Sequence, residues 1–169
     1  MRESHKLSPL EIDYESVYEW FDGTIWVELD CGIELCQTAK CCGSEPEGGA
    51  QPWIFFLPGE LSYLQRKLGH RLPMHEIGDT GTYHCSGSSR CIYGMRPIDC
   101  RSYPLWPSVS SDGFSGFLDC RGTRCPISLI PEAFAKRVAE HWRVLFSEHP
   151  ELLSWFLETF GCTQPDIAL

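Results

Sequence analysis

The sequence predicts a small, irregular α+β fold, with helices at its two ends and short strands in a loop-rich middle. Three observations carry this prediction. Apolar residues recur at helical spacing near both termini, Gly, Pro and Ser interrupt the central segments, and nine of the ten cysteines lie between residues 31 and 125. With 169 residues, of which 43% are hydrophobic, and no internal repeat or linker, the chain is predicted to form one domain over residues 1–169.

The first predicted helix starts in the segment LSPLEI. Ser8 is a candidate N-cap, Pro9 suits the first helical position, and Glu11 completes a capping box. An apolar face follows, formed by Tyr14, Val17, Tyr18 and Phe21. Gly23 ends the helix, and the next segment, TIWVELD, is typical of a short strand that leads into the first cysteines.

The middle of the chain offers one clear supersecondary pattern. The segment WIFFLPGELSYLQRKLG, residues 53–69, predicts a strand, a turn and a helix that stops at Gly69. Residues 70–90 are predicted to be irregular, and the stretch from Cys85 to Cys125 is predicted to hold only short strands. Such a loop-rich middle needs an organiser, and a bound metal supplies one because its binding energy becomes folding energy.

Two helices are predicted over residues 131–160. The first begins at Pro131 and turns one apolar face inward, formed by Phe134, Val138, Trp142 and Leu145. The second begins at Pro150 and ends before Gly161, with an apolar face formed by Leu153, Phe156, Leu157 and Phe160.

The charge and hydropathy patterns exclude two classes of partner. The formal net charge is −9 and no segment carries a basic stripe, so we expect no nucleic-acid binding. No apolar run approaches the ~20 residues that a bilayer span requires, so we expect no membrane insertion. The polar segment MRESHKLSPLEID lacks the apolar core of a secretory signal. We therefore expect a cytoplasmic protein, in which dense cysteine indicates metal or redox chemistry rather than disulfides.

The cysteine spacings narrow that chemistry. The pattern is Cys-x4-Cys-x4-Cys-Cys from Cys31 to Cys42, then Cys-x5-Cys-x8-Cys from Cys85 to Cys100, with later cysteines at 120, 125 and 162. No Cys-x2-Cys occurs, which disfavours a thioredoxin-type redox pair. Adjacent side chains tend to diverge, so Cys41 and Cys42 are expected to bind different metal ions or different irons of one cluster. In the alternative, one of the two is a buried apolar thiol.

These segments resemble a known family. CGIELCQTAKCC, then CSGSSRCIYGMRPIDCRSYPLWP, and finally CP at Cys125 resemble the YkgJ-like cysteine-cluster family of zinc- or iron-chelating domains. The likeness covers residues 31–126, and CIYGMRPIDCRSYPLWP is its most specific part. The chain departs from the family pattern at the opening, where four residues rather than two separate Cys31 from Cys36.

The resemblance implies eight metal ligands. They are Cys31, Cys36, Cys41, Cys42, Cys85, Cys91, Cys100 and Cys125. Cys120 and Cys162 fall outside the pattern. The resemblance also implies that Arg96 and Arg101 offset the charge of the thiolates around Cys100 and help to hold the sulfurs in place. In the alternative, the two arginines form surface ion pairs with Asp99 or another nearby acid.

The donor set leaves the metal open between two options. Eight thiolates make two sets of four, which suits either two structural zinc ions or one or two iron–sulfur clusters, since tetrahedral sulfur ligation serves both. A similar cysteine-cluster segment occurs in flagellin lysine N-methylases, where an iron–sulfur cluster is associated with it. That resemblance favours an iron–sulfur cluster, of the 4Fe-4S type, with zinc as the alternative.

Three functions are compatible with these observations. The first is a metalloprotein that acts in electron transfer, in metal handling or as an accessory to another enzyme, so its partners are metal ions and a protein. The second is a zinc-stabilised interaction module without catalysis. The third is an enzyme with an open iron site, for which Cys120 is a candidate reactive thiol. In the alternative, which we favour, Cys120 is a packed residue. Glu60 resembles the acid at the start of the family's helix, where it is expected to stabilise the helix N-terminus.

Overall fold

The computed structural model describes residues 12–22, 53–69, 74–76, 82–85, 96–120 and 130–168. Residues 22, 53, 74–76 and 82–85 are described by their backbone alone. The predicted strand TIWVELD and six of the predicted ligand cysteines lie outside these ranges, as do Ser8, Pro9 and Glu11.

The described residues form five helices and two three-stranded antiparallel sheets, so the prediction of a small α+β fold is confirmed. The helices are α1 (Tyr14–Asp22), α2 (Glu60–Leu68), α3 (Ile98–Ser102), α4 (Glu132–Glu148) and α5 (Pro150–Phe160). The strands are β1 (Trp53–Phe55), β2 (Met74–Glu76), β3 (Thr82–Cys85), β4 (Leu105–Ser110), β5 (Gly113–Asp119) and β6 (Ile167–Ala168). Within the described ranges, no helix combines the length and the apolar character needed to cross a bilayer.

The two sheets use different parts of the chain. In the first, the strand order is β1-β3-β2, with Trp53 opposite His84 and Phe55 opposite Thr82. In the second, the order is β4-β5-β6, with Leu105 opposite Asp119. The first sheet therefore includes Cys85 at the end of β3, and the second follows directly after the α3 helix.

Helix α1 begins later than the sequence predicted. Ile12 and Asp13 are not helical, and α1 starts at Tyr14. The Asp13 carboxylate accepts hydrogen bonds from the Glu15 backbone N–H at 3.2 Å and from the Ser16 hydroxyl at 2.7 Å. Asp13 therefore acts at the helix start in the way that was expected of Ser8.

The strand–turn–helix prediction for residues 53–69 is confirmed. Strand β1 leads through a turn at Pro58 and Gly59 into α2. Gly59 lies in the left-handed region with φ 84°, and Gly69 closes α2 in the same region with φ 62°. Glycine adopts this backbone without the steric penalty that a Cβ atom brings, which explains why both ends of α2 carry it.

The prediction for the residues that follow is wrong in two places. Strands β2 and β3 lie within the 70–90 segment that was expected to be irregular. The cysteine-rich stretch contains helix α3 and a hairpin of β4 and β5, whose strands have six and seven residues. Pro107 lies inside β4, where its missing N–H is tolerated because β4 is an edge strand.

One hydrophobic cluster joins the helices to both sheets. Its members include Phe21 of α1, Ile54 of β1, Phe117 of β5 and Trp142 of α4. The Trp142 ring is fully buried and lies 6.1 Å from the Trp106 ring and 5.5 Å from the Phe146 ring, centroid to centroid. The aromatic part of the core is therefore centred on Trp142 of α4.

The C-terminal helices confirm the sequence prediction in outline. Pro131 and Pro150 stand at the starts of α4 and α5, and the four residues predicted for the inner face of α4 are all fully buried. In α5 the most buried residues are Leu152 and Phe156, whereas Leu153, predicted for the inner face, is half-buried. The buried stripe of α5 is therefore rotated by about one residue from the predicted face.

The segment after α5 returns to the β4–β5 hairpin. Thr163 exchanges backbone and side-chain hydrogen bonds with Val109, and β6 pairs with β5 so that Gly116 lies opposite Ala168. A Cβ atom on Gly116 would overlap the Ile167 carbonyl oxygen and press on the Pro165 side chain. Glycine at 116 is therefore what lets β6 approach.

Candidate metal centre

Two of the eight predicted ligands lie in the described part of the chain. Cys85 ends strand β3, where only its backbone is described, and Cys100 lies in α3 with its side chain described. The other six lie outside the described residues: Cys31, Cys36, Cys41, Cys42, Cys91 and Cys125. Among the residues described, no three His, Cys, Asp or Glu side chains come together in a group that could hold a metal ion. The convergence of the three cysteine groups stays a prediction.

Strand β1 is the element that connects Cys85 with Cys100. On one side β1 pairs with β3, the strand that Cys85 ends. In the described sheet β1 is an edge strand, and its Phe55 N–H donates a hydrogen bond of 2.9 Å to the Asp99 carboxylate. Asp99 directly precedes Cys100 in α3. The first and last cysteines of the second predicted group, Cys85 and Cys100, are thus both close in sequence to residues that bond to this three-residue strand.

Cys100 lies at the surface of the hydrophobic core. It is half-buried and packs against the buried cluster. Two residues further on, the Ser102 hydroxyl donates to the Ile98 carbonyl and accepts a hydrogen bond of 3.2 Å from the Trp142 indole N–H. Helix α3 is therefore tied to α4 as well as to β1.

Glu60 holds the other end of α3, and the sequence interpretation missed this role. The side chain is fully buried. Oxygen Oε1 accepts hydrogen bonds from the Tyr18 hydroxyl at 2.6 Å and the Ile98 N–H at 2.7 Å, and Oε2 accepts one from the Leu57 N–H at 2.9 Å. One carboxylate thus joins α1, the end of the β1 turn and the first residue of α3.

The electrostatics of this cluster follow from its burial. Burial raises the pKa of Glu60 to about 7, against the downward pull of its three hydrogen bonds. Burial and the nearby Glu60 carboxylate raise the pKa of Tyr18, so the phenol keeps its proton and is the donor to Glu60. Burial likewise raises the pKa of Asp99, although the residue as a whole is only half-buried.

Arg101, the residue that follows Cys100, carries a buried positive charge. It is 1% exposed, its Nε donates a hydrogen bond of 2.6 Å to the Arg96 carbonyl, and its guanidinium carbon lies 4.2 Å from the centroid of the Tyr18 ring. Burial lowers its pKa to about 10, so it remains a cation at neutral pH. Arg96 is 7% exposed, so both arginines lie inside the protein rather than at its surface. That the two arginines offset thiolate charge stays a prediction.

The two cysteines outside the family pattern lie away from α3 in sequence and are both exposed. Partial burial of the thiol and the carboxylates of Asp99, Asp119 and Asp166 raise the pKa of Cys120. Solvent screens part of this effect because the residue is exposed, but its direction is opposite to the lowered pKa of a reactive thiol. None of the three cysteines with described side chains forms a disulfide.

The chemistry of the donors fits a thiolate-bound metal as far as the described residues reach. Cys100 is half-buried in the middle of α3, and a buried cation, Arg101, follows it in the chain. Metals bind the thiolate form of cysteine, so Cys100 would act as a ligand once it is deprotonated. An iron–sulfur cluster or zinc would be held by Cys100 together with the cysteines predicted in the other segments.

Comparison with known proteins adds no relative. No family model, no curated protein and no solved structure matches the chain. The likeness to the YkgJ-like family therefore stays an interpretation of the motif in residues 31–126.

Proposed function

We propose that the protein is a cytoplasmic cysteine-ligated metalloprotein that carries an iron–sulfur cluster of the 4Fe-4S type. The cluster would exchange single electrons with a partner, so the protein would serve in electron transfer, in metal handling or as an accessory to another enzyme. The observation that supports this most is the clamped position of α3. A predicted ligand, Cys100, is fixed beside the strand that pairs with the Cys85 strand, and a buried arginine follows it.

The described residues support three roles in that site. The thiolate of Cys100 would be a ligand, Arg101 would offset the negative charge of the cluster, and Asp99 would hold α3 against β1 through the Phe55 N–H. Arg96 contributes its carbonyl oxygen to the position of the Arg101 side chain. The acidic net charge of −9 suits a protein or metal partner rather than nucleic acid.

Zinc is the second candidate because four-thiolate ligation suits it equally. In that case the metal would stabilise the fold, and the protein would be an interaction module. The third candidate, an enzyme with an open iron site, has no activated thiol at Cys120, since the pKa of that residue is raised rather than lowered.

Anaerobic purification of the full chain from cells grown with both metals tests this proposal. We expect a brown protein with iron, acid-labile sulfide and a broad absorption band that bleaches on reduction with dithionite. A colourless protein with stoichiometric zinc would instead support the zinc-stabilised interaction module and rule out the cluster. A protein that retains neither metal, and whose cysteines form disulfides in the cell, would contradict both.

A further inference from the structure

We propose that Glu60 is a positioning residue for the thiol of Cys100, an inference that rests on the metal-binding function proposed above. Glu60 is 40 residues away in sequence and belongs to a different helix. It acts on Cys100 through the backbone of Ile98, the residue with which α3 begins.

Helix α3 depends on such outside contacts because it is only five residues long. A helix of that length does not hold its shape alone in water, since nucleation is costly and few hydrogen bonds repay it. Its N-cap residue is Pro97, which makes no side-chain capping bond. The Glu60 carboxylate takes the place of a cap, because it accepts the Ile98 N–H at 2.7 Å from another part of the chain.

Only a side chain with two acceptor oxygens fits this position. The Ile98 and Leu57 amides both point donors at the carboxyl group, one at each oxygen, and neither amide can reverse its role. An apolar residue of the same volume would leave two buried N–H groups unsatisfied. The Glu60 oxygens are therefore the link that fixes the start of α3 against the α2 turn.

Glu60 fixes a part of α3 that its other hydrogen bonds do not fix. Asp99 holds α3 to β1 from the other side, and Ser102 ties the end of α3 to Trp142 of α4. When these two hydrogen bonds remain and the one to the Ile98 N–H is broken, the first turn of α3 can shift while the end stays in place. Cys100 lies between the two ends, so its thiol would no longer have a fixed direction although the core stays folded.

The test compares Glu60→Met with Gly116→Ala in the metal-free, reduced full chain. Glu60→Met keeps the side-chain volume and removes all three acceptor contacts. Gly116→Ala strains the β5–β6 pairing and leaves α3 untouched, so it controls for a general loss of stability. The rate of alkylation of each cysteine is measured by mass spectrometry, with the exposed Cys162 as the internal reference.

We expect the Cys100 rate, relative to Cys162, to rise about tenfold in Glu60→Met, as the removal of a buried hydrogen bond implies, and less than about twofold in Gly116→Ala. Tyr18→Phe leaves both backbone hydrogen bonds of Glu60 intact and should also stay within about twofold. Equal rises in Glu60→Met and Gly116→Ala would overturn the proposal. If Glu60→Met shows no cooperative unfolding transition, Glu60→Asp replaces it with the same expected direction, because the shorter side chain cannot reach Ile98.

A second readout separates this inference from the proposed function. Cobalt(II) titration of the reduced protein reports thiolate binding through its charge-transfer absorption, and Glu60→Met should weaken this binding about tenfold relative to Gly116→Ala. If the unmodified protein binds no cobalt, zinc or iron, the metal function fails. The alkylation rates would still decide whether Glu60 positions Cys100.

Discussion

Helix α3, which carries Cys100, is held in place by different physical means from the C-terminal helices α4 and α5. Helices α4 and α5 are fixed by aromatic packing, in which Trp142, Trp106 and Phe156 lie with ring centroids 5.4–6.1 Å apart. Helix α3 is fixed by single hydrogen bonds from the fully buried Glu60 at its start and from the half-buried Asp99 beside Cys100. Aromatic packing tolerates small shifts, whereas a buried hydrogen bond requires a defined distance and direction. The difference places the more directional contacts around the predicted ligand.

The largest expected effect is the loss of stability when the aromatic packing of α4 is disrupted. Trp142→Ala should lower the free energy of unfolding by about 3–5 kcal/mol, because a fully buried indole leaves a large cavity. Urea unfolding followed by far-UV circular dichroism measures this loss. Val144→Ala, on a half-buried position of the same helix, is the matched control and should lose less than about 1.5 kcal/mol. Equal losses in the two variants would show that α4 does not supply the centre of the core.

A smaller effect is expected from the buried carboxyl group of Glu60, which should make the stability depend on pH. Burial raises the pKa of Glu60 from 4.5 to about 7 in the folded protein, so the folded state holds this proton more tightly than the unfolded state. The stabilisation from Glu60 is therefore complete below about pH 4.5 and is lost as the pH rises through about 7. We expect the metal-free protein to lose about 1–3 kcal/mol between pH 5 and 8 through this group.

The control for this pH dependence is Glu60→Gln, which cannot titrate. Asp99 titrates in both proteins, with the same sign, so the difference between the two pH profiles isolates Glu60. Urea unfolding at a series of pH values gives both profiles. Parallel profiles would mean that Glu60 remains ionised throughout this range and that its three donors outweigh its burial.

The smallest effect is expected at a polar cluster on the surface. Lys67, Tyr63 and Glu15 form three hydrogen bonds of 2.7–2.9 Å, two of which join α1 to α2, but Lys67 and Glu15 are exposed. Solvent screens such pairs, so Lys67→Met should leave the urea midpoint unchanged within error. A clear shift of the midpoint would show that exposed polar contacts fix helices here as firmly as the buried ones.

The sequence predicted the buried face of α4 well, because the regular spacing of apolar residues indicates which face of a helix is buried. The inner face of α4, the starts of α4 and α5, and the strand–turn–helix of residues 53–69 all follow from local patterns that the structure confirms. The β4–β5 hairpin was missed, although Asp112-Gly113 between two apolar runs is a known hairpin signal. The many Gly, Ser and Pro residues around it favoured loop over strand.

The sequence did not reveal the polar contacts that hold α3, because they join residues that are distant in the chain. Glu60 is an ordinary helix-start acid in sequence, and its partners Tyr18 and Ile98 lie 42 and 38 residues away. No local pattern encodes such a contact, because it exists only once α1, α2 and α3 have come together. The ligand cysteines were predicted from motif likeness, which gives residue types and spacing but no distances.

The most direct test of the central claim is the metal content of Cys100→Ser, measured beside that of Cys162→Ser after anaerobic purification. Cys100 is a predicted ligand on a fixed helix, whereas Cys162 is exposed and outside the motif. We expect Cys162→Ser to keep the full complement of iron and sulfide, or of zinc, and Cys100→Ser to lose at least one metal site's share. Full metal content in Cys100→Ser would contradict the central claim.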